Sequence, residues 1–358
     1  MNTSALHSSS RLKRWAVNLS LAVISVIVFL VIAEVVLRIF DPNLYYKSQY
    51  FPQNRDIDFP EFYKKDSQLF WRFRPDTHID SRQFSTLTYD INSRGLRGPE
   101  IEPTDTKTRV LALGNSCTFG WGIPYRDIFT SVLQQQLNAS AGGDFYQVIN
   151  AGIPGYSSFQ GKRFLPQLMD LHPSAVLIMF GWNDHFPAGH KIRDSQQRVP
   201  PGVILSLQNL LSRLKLYQFM RKTLLSVTED RQELRLDDIS LTRRVTRQEM
   251  GENLREMIQF TRNQGAMPIL LIPPVASVDI YFHGGNSPFH KLHQSYQNEI
   301  RKIAVLSNTR LIDLQAVFDE HNDLYDDAAA DPIHFNALGH EVAATTLADS
   351  LSLWLPHK

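Results

Sequence analysis

A serine hydroxyl attacks carbonyls near neutral pH only when a base takes its proton and fixed donors hold the oxyanion that results. The chain offers such a hydroxyl in Gly114-Asn115-Ser116, directly after the apolar run Val110-Leu111-Ala112-Leu113. A base stands far downstream in Asp331-Pro332-Ile333-His334. A carboxylate three residues ahead of a histidine can hold its Nδ1-H and leave Nε2 facing a serine, and imidazole is the side chain that exchanges protons most readily at neutral pH. Donors are available in two further stretches. Asn150-Ala151-Gly152-Ile153-Pro154-Gly155 has glycines whose backbone can approach a substrate closely and aim an N-H at it. Gly181-Trp182-Asn183-Asp184 carries a side-chain amide at Asn183 that either donates to an oxyanion or caps the next element.

Groups so far apart in sequence meet only if the fold gathers them. The serine stretch and the two donor stretches each follow a short apolar run, and in open α/β sheets ligands bind at the carboxyl ends of such strands. Strand-like runs at Val110–Leu113, Gln147–Asn150, Ala175–Phe180, Pro268–Ile272 and Leu311–Leu314 alternate with helical spacing at Ile128–Leu137, Phe159–Leu171, Arg247–Arg262 and Leu292–Leu306. That alternation predicts a five-stranded parallel sheet covered on both faces. Asn336 is a good N-cap for a closing helix over Ala337–Leu353.

Taken in order, the four stretches resemble the SGNH, or GDSL, hydrolase superfamily, over roughly Thr108–Leu353. The resemblance implies a flavodoxin-like three-layer α/β/α sandwich with strand order 2-1-3-4-5, no metal and no cofactor. It also implies Ser116 as nucleophile, Asp331 and His334 as its triad partners, and an oxyanion hole made by the Ser116 and Gly155 N-H groups with the Asn183 amide. The chain departs from the family at Asn115, where aspartate is usual. That side chain carries no proton in the reaction, so the expected consequence is altered local hydrogen bonding with activity retained.

Composition bounds the partners. The chain has 358 residues, 43% of them hydrophobic, and balances 37 Lys+Arg against 36 Asp+Glu for a net charge of +1. It can bury a large core, and it has no electrostatic footprint for nucleic acid. From Trp15 to Ala33 there is no charged residue, while Arg11, Lys13 and Arg14 precede the run. These features predict a single-pass anchor over residues 15–37, in preference to a cleaved signal peptide, with residues 1–14 cytoplasmic and the rest outside the cytoplasm. In a Gram-negative cell that compartment is the periplasm.

Residues 38–107 read as a juxtamembrane extension with short strands, and its Tyr45, Tyr46, Tyr50 and Phe51 as packing or interfacial aromatics. Residues 108–358 then form the hydrolase-like domain, with a helical insertion at about 186–246. Within it, Val203–Leu225 has Leu207, Leu210, Leu211, Leu214 and Phe219 at helical intervals and reads as a covering helix, or else as a lid or membrane-leaning helix. The charged stretch Arg231–Arg244 reads as solvated. Cys117 reads as a buried filler, and Asp184 and His185 as pocket lining without a role. His290 and His293 share a helical face, but a metal site would need His283 across a glycine loop and is not expected.

These readings converge on a serine esterase or O-acyl transferase that acts outside the cytoplasm on acylated carbohydrate or lipid. The competing class is a non-catalytic protein of an envelope polysaccharide system, one that binds a glycan or acyl chain or serves as a scaffold.

Overall fold

The chain enters through helix α1 (Thr3–Phe40) and four short strands: β1 (Tyr63–Asp66), β2 (Phe70–Phe73), β3 (Thr77–Asp80) and β4 (Thr88–Ile91). The alternating part follows as β5 (Thr108–Gly114), α2 (Ser116–Phe119), α3 (Phe129–Ala141), β6 (Tyr146–Gly152), α4 (Ser158–Phe164) and β7 (Ala175–Met179). After two helices, α5 (Gly202–Leu211) and α6 (Lys215–Thr228), it resumes with α7 (Arg247–Asn263), β8 (Met267–Ile272), α8 (Pro288–Leu306), β9 (Arg310–Asp313), α9 (Leu314–Phe318) and α10 (Ala337–Trp354). This computed structural model describes residues 3–40, 62–80, 87–102, 106–228, 240–276, 288–321, 323–327 and 331–355. Tyr45, Tyr46, Tyr50, Phe51 and His283 lie outside the described residues.

The sheet runs β6-β5-β7-β8-β9, with every neighbouring pair parallel. This is the order 2-1-3-4-5. Because side chains alternate across a strand, each strand feeds two cores. Leu111, Leu113, Ile149, Val176, Ile178, Leu270 and Ile272 share one core with helices α4, α7 and α8. Val110, Ala112, Val148, Leu177, Ile269 and Leu271 share the other with α3 and α10. All seven residues of β5 are buried, which is why it reads as a continuous apolar run instead of an alternating one. Asn336 caps α10 by accepting from the Gly339 N-H at 3.0 Å.

The segment before β5 is built into the first core. Tyr63, Trp71, Phe73 and Tyr89 lie in the same buried cluster as Leu111 and Leu113. The Tyr156 hydroxyl donates to the Trp71 carbonyl at 2.6 Å. Arg97 goes deeper still. It is 3% exposed, and its guanidinium donates to the carbonyls of Phe119 (2.7 Å), Gly120 (2.6 Å) and Ile123 (2.6 Å) while lying over the adjoining rings of Tyr89 and Phe119. Burial lowers its pKa to about 10, so it remains a cation at neutral pH and ties down the turn that follows α2.

Two compact units divide the chain: Met1–Lys47 with Ser206–Asp230, and Ser48–Leu205 with Arg231–Lys358. The single helix expected over Val203–Leu225 is two helices, α5 and α6, separated at Ser212-Arg213-Leu214. The Glu34 carboxylate accepts from the first N-H groups of α6, a cap supplied by a residue 181 positions away and invisible in the local pattern.

Replacing Arg97 with Met keeps bulk and takes the guanidinium from three carbonyls, of which Gly120 alone keeps a second donor, the Ile123 N-H. Such losses cost several kcal/mol, so denaturant unfolding of the variant should show a drop of about 3 kcal/mol. A drop below about 1 kcal/mol would remove Arg97 from this role.

Candidate active site

Ser116 stands where β5 gives way to α2, a single helical turn. Asn115 is its N-cap, and its side-chain oxygen accepts from the Cys117 N-H at 3.0 Å. The turn is possible because its neighbours are small. A Cβ on Gly114 would fall 2.0 Å from Thr118 Oγ1, and one on Gly152 would fall 2.2 Å from the Phe119 backbone nitrogen. Glycine at both positions lets the serine turn settle against the end of β6.

His334 comes to this turn from the loop before α10. Its Nε2 lies 2.7 Å from Ser116 Oγ, and its Nδ1 lies 2.7 Å from Asp331 Oδ2. The other oxygen of Asp331 accepts from the Ile333 and His334 N-H groups at 3.1 and 3.0 Å, which fixes the carboxylate under the ring. Burial would raise the Asp331 pKa, but hydrogen bonds and charge from His334, together with these two amides, hold it below the ordinary carboxylate value. Asp331 is therefore ionised at neutral pH.

Register brings the other two candidates to the same edge. Gly114 of β5 pairs with Gly152 of β6 and with Met179 of β7, so the three strands end level. Gly155 follows in the turn after β6 and takes φ +84°, a conformation that favours glycine. Asn183 follows β7 and is buried. Its amide donates to the Tyr156 carbonyl at 3.1 Å, tying the two turns together.

A buried ion pair that the sequence reading missed lies behind these turns. Arg243 and Arg244 belong to the stretch expected to be solvated, yet both are buried; residues 231–239 lie outside the described residues. Arg244 donates to Asp194 at 2.8 and 3.1 Å, to Gln160 Oε1 at 2.9 Å and to the Gly155 carbonyl at 2.8 Å. Asp194 also accepts from the Ser157 hydroxyl at 2.6 Å. The pair sets the back of the Gly155 turn. Arg244 and Asp194 are 50 positions apart in a loop-rich region, and no periodicity marks either.

Asp184 and His185 do not line a pocket. Both are fully buried. Asp184 accepts from the Gly181 N-H at 3.2 Å, from the Ser158 N-H at 3.1 Å and from the Ser158 hydroxyl, which joins the Asn183 turn to the start of α4. Burial raises its pKa to about 6 against the pull of those bonds. His185 Nε2 lies 2.9 Å from His293 Nδ1, and His293 stacks on Trp182 at 3.8 Å between ring centroids. Burial lowers both imidazoles, His293 to about 3, so they are neutral packing groups. Among the described residues no cluster of three His, Cys, Asp or Glu side chains is placed to hold a metal ion. Cys117 is buried with its Sγ 3.5 Å from the Ile333 carbonyl, and burial pushes its thiol pKa up.

The raised Asp184 pKa has a stability consequence. Between about pH 4 and 6 the folded chain holds a proton at Asp184 that the unfolded chain has lost, so this residue's contribution falls as pH rises through that window. The unfolding free energy of the parent relative to Asp184→Asn should therefore decline across it, by up to about 3 kcal/mol. A difference that stays flat across those pH values would contradict the assignment.

Comparison with known proteins places the chain. The model of the GDSL-like lipase/acylhydrolase family matches residues 112–342. An arylesterase of Vibrio mimicus is 34% identical over 109 residues, covering 30% of this chain and 48% of the relative, so the match spans about half of that protein's length. Among solved structures, the lipase/acylhydrolase from Enterococcus faecalis is 18% identical, with a TM-score of 0.46 over 70% of this chain and 98% of its own. A catalytic mutant of Axe2, an acetylxylan esterase from Geobacillus stearothermophilus, is 17% identical, with a TM-score of 0.46 over 70% and 96%. The family match begins within β5, ends within α10 and takes in Ser116, Gly155, Asn183, Asp331 and His334, and on it the chain belongs to the GDSL-like lipase/acylhydrolase family.

Proposed function

We propose that this family member is a serine ester hydrolase or O-acyl transferase in which Ser116, His334 and Asp331 act as one unit. Ser116 Oγ attacks the ester carbonyl as His334 takes its proton. Asp331, held ionised, orients the ring and stabilises the imidazolium. The Ser116 and Gly155 N-H groups and the Asn183 amide receive the oxyanion, and His334 returns the proton to the departing alcohol. Water, or a hydroxyl of an acceptor, then takes the acyl group from the serine. In that second half His334 takes the proton of the water or acceptor hydroxyl and returns it to Ser116 Oγ as the acyl group leaves the serine.

The observation that carries the reading is the line Ser116 Oγ, His334 Nε2, His334 Nδ1, Asp331 Oδ2, with both contacts at 2.7 Å. Asn115 fits it: as a cap, its side chain orders the serine turn without taking part in proton transfer.

The helix Lys13–Phe40 is long and apolar enough to cross a membrane once. Basic residues ahead of it favour a cytoplasmic amino terminus, which puts the rest of the chain outside the cytoplasm. An acylated carbohydrate or lipid of that compartment is the substrate we propose. Residues 38–107 would connect the anchor to a hydrolase domain over 108–358, with residues 186–246 inserted in it.

Hydrolysis of short-chain p-nitrophenyl esters by the full-length chain in detergent tests the chemistry. Ser116→Ala and His334→Ala should each lower kcat by about 10³-fold or more, with unchanged far-ultraviolet circular dichroism. Near-parental turnover in either folded variant would reject the assignment.

A further inference from the structure

The unit formed by Met1–Lys47 and Ser206–Asp230 contains none of the residues assigned above to acyl transfer. Glu34 is the acidic residue that interrupts the apolar length of α1, and its carboxylate is fully engaged. It accepts from the Lys215 N-H at 3.1 Å and the Leu216 N-H at 2.8 Å, capping the amino terminus of α6, and from Arg38 at 2.7 Å. Arg38 in turn donates to the Arg213 carbonyl at 3.2 Å. A carboxylate among a helix's first N-H groups is favoured by both hydrogen bonding and the helix dipole.

These bonds fix the depth of α6. Ile24 is the middle of the uncharged run Trp15–Ala33, and Glu34 lies ten residues beyond it. At ~1.5 Å per residue that is ~15 Å along the axis, the edge of a hydrocarbon layer ~30 Å thick. With α1 across a bilayer, α6 would therefore start at the boundary between acyl chains and headgroups.

Its surface matches that location. Met220, Leu224 and Val227 recur at spacings of four and three on one helical face and are 60, 62 and 80% exposed. Leu207, Leu210 and Leu214 make a similar exposed stripe on the preceding segment, with Leu210 at 66%. Arg213, Lys215, Arg221 and Lys222 are interspersed, and no acidic residue occurs between Ser206 and Thr228. An apolar face with cations around it is the pattern of a helix lying in a membrane surface.

We propose that Ser206–Thr228 is an interfacial membrane element that lies in the leaflet holding the carboxyl end of α1, its apolar stripes among the acyl chains and its cations against anionic lipid phosphates. The proposal rests on α1 crossing the bilayer, and the test separates the two. Single cysteines at Ile24, Met220 and Val227 are labelled with an environment-sensitive fluorophore in the full-length chain, in vesicles of phosphatidylcholine with phosphatidylglycerol. The parent chain, whose own cysteine is the buried Cys117, gives the blank. Nitroxide lipids with shallow or deep labels serve as quenchers.

The Ile24 probe should be quenched by the deep label. The Met220 and Val227 probes should shift to the blue and lose most of their emission to the shallow label. Deep quenching at Ile24 with water-like, unquenched probes at Met220 and Val227 would overturn the proposal and leave the span standing. No quenching at Ile24 would remove the span and the proposal together. A blue shift at Met220 and Val227 that disappears on dilution in lipid, without quenching, would assign the face to a second copy of the chain and overturn the lipid reading.

Discussion

The arrangement depends above all on three strands ending level. Gly114 faces Gly152 on one side and Met179 on the other, and the loops leaving those positions carry Ser116, Gly155 and Asn183. A slip of one residue in either pairing would turn a whole strand's side chains to the opposite face. The two cores, one against α4, α7 and α8 and the other against α3 and α10, hold that register by hydrophobic burial on both faces. The site's geometry is thus determined mainly by packing far beneath it.

Burial also explains the charges that surround the site. Arg97 fastens the turn after α2, Arg244 fastens the Gly155 turn, and Asp184 fastens the Asn183 turn. Each takes a polar group out of water at a cost that only several good hydrogen bonds offset. Such groups add little net stability, but removing one strands its partners. Their common effect is to hold the three loops, and with them the proposed nucleophile and oxyanion donors, in a single conformation.

Much of this was legible in the sequence, and what was not has a physical reason. The strands were readable because a doubly covered parallel sheet needs uninterrupted apolar runs, and Val110–Leu113 and Ala175–Phe180 are such runs. Ser116, Gly155 and Asn183 stood out because turns after strands use few residue types, and Asp331 and His334 because a carboxylate three residues ahead of an imidazole can orient it. Arg97 and Arg244 left no trace. A buried arginine is defined by what surrounds it in space, and in sequence each sits among other charged or turn-forming residues. Likewise, the start of α6 is capped by Glu34, and no local pattern encodes a partner that distant.

The claim at the centre is that Ser116 is an activated nucleophile because His334, backed by an ionised Asp331, lies within hydrogen-bonding reach of it. The most direct measurement is the mass of the full-length chain and its peptides after exposure to a fluorophosphonate. The predicted result is one phosphonyl group per chain on the peptide bearing Ser116, with labelling greatly slowed in His334→Ala. An unmodified Ser116 in the folded parent chain, or an adduct on a different residue, would contradict it.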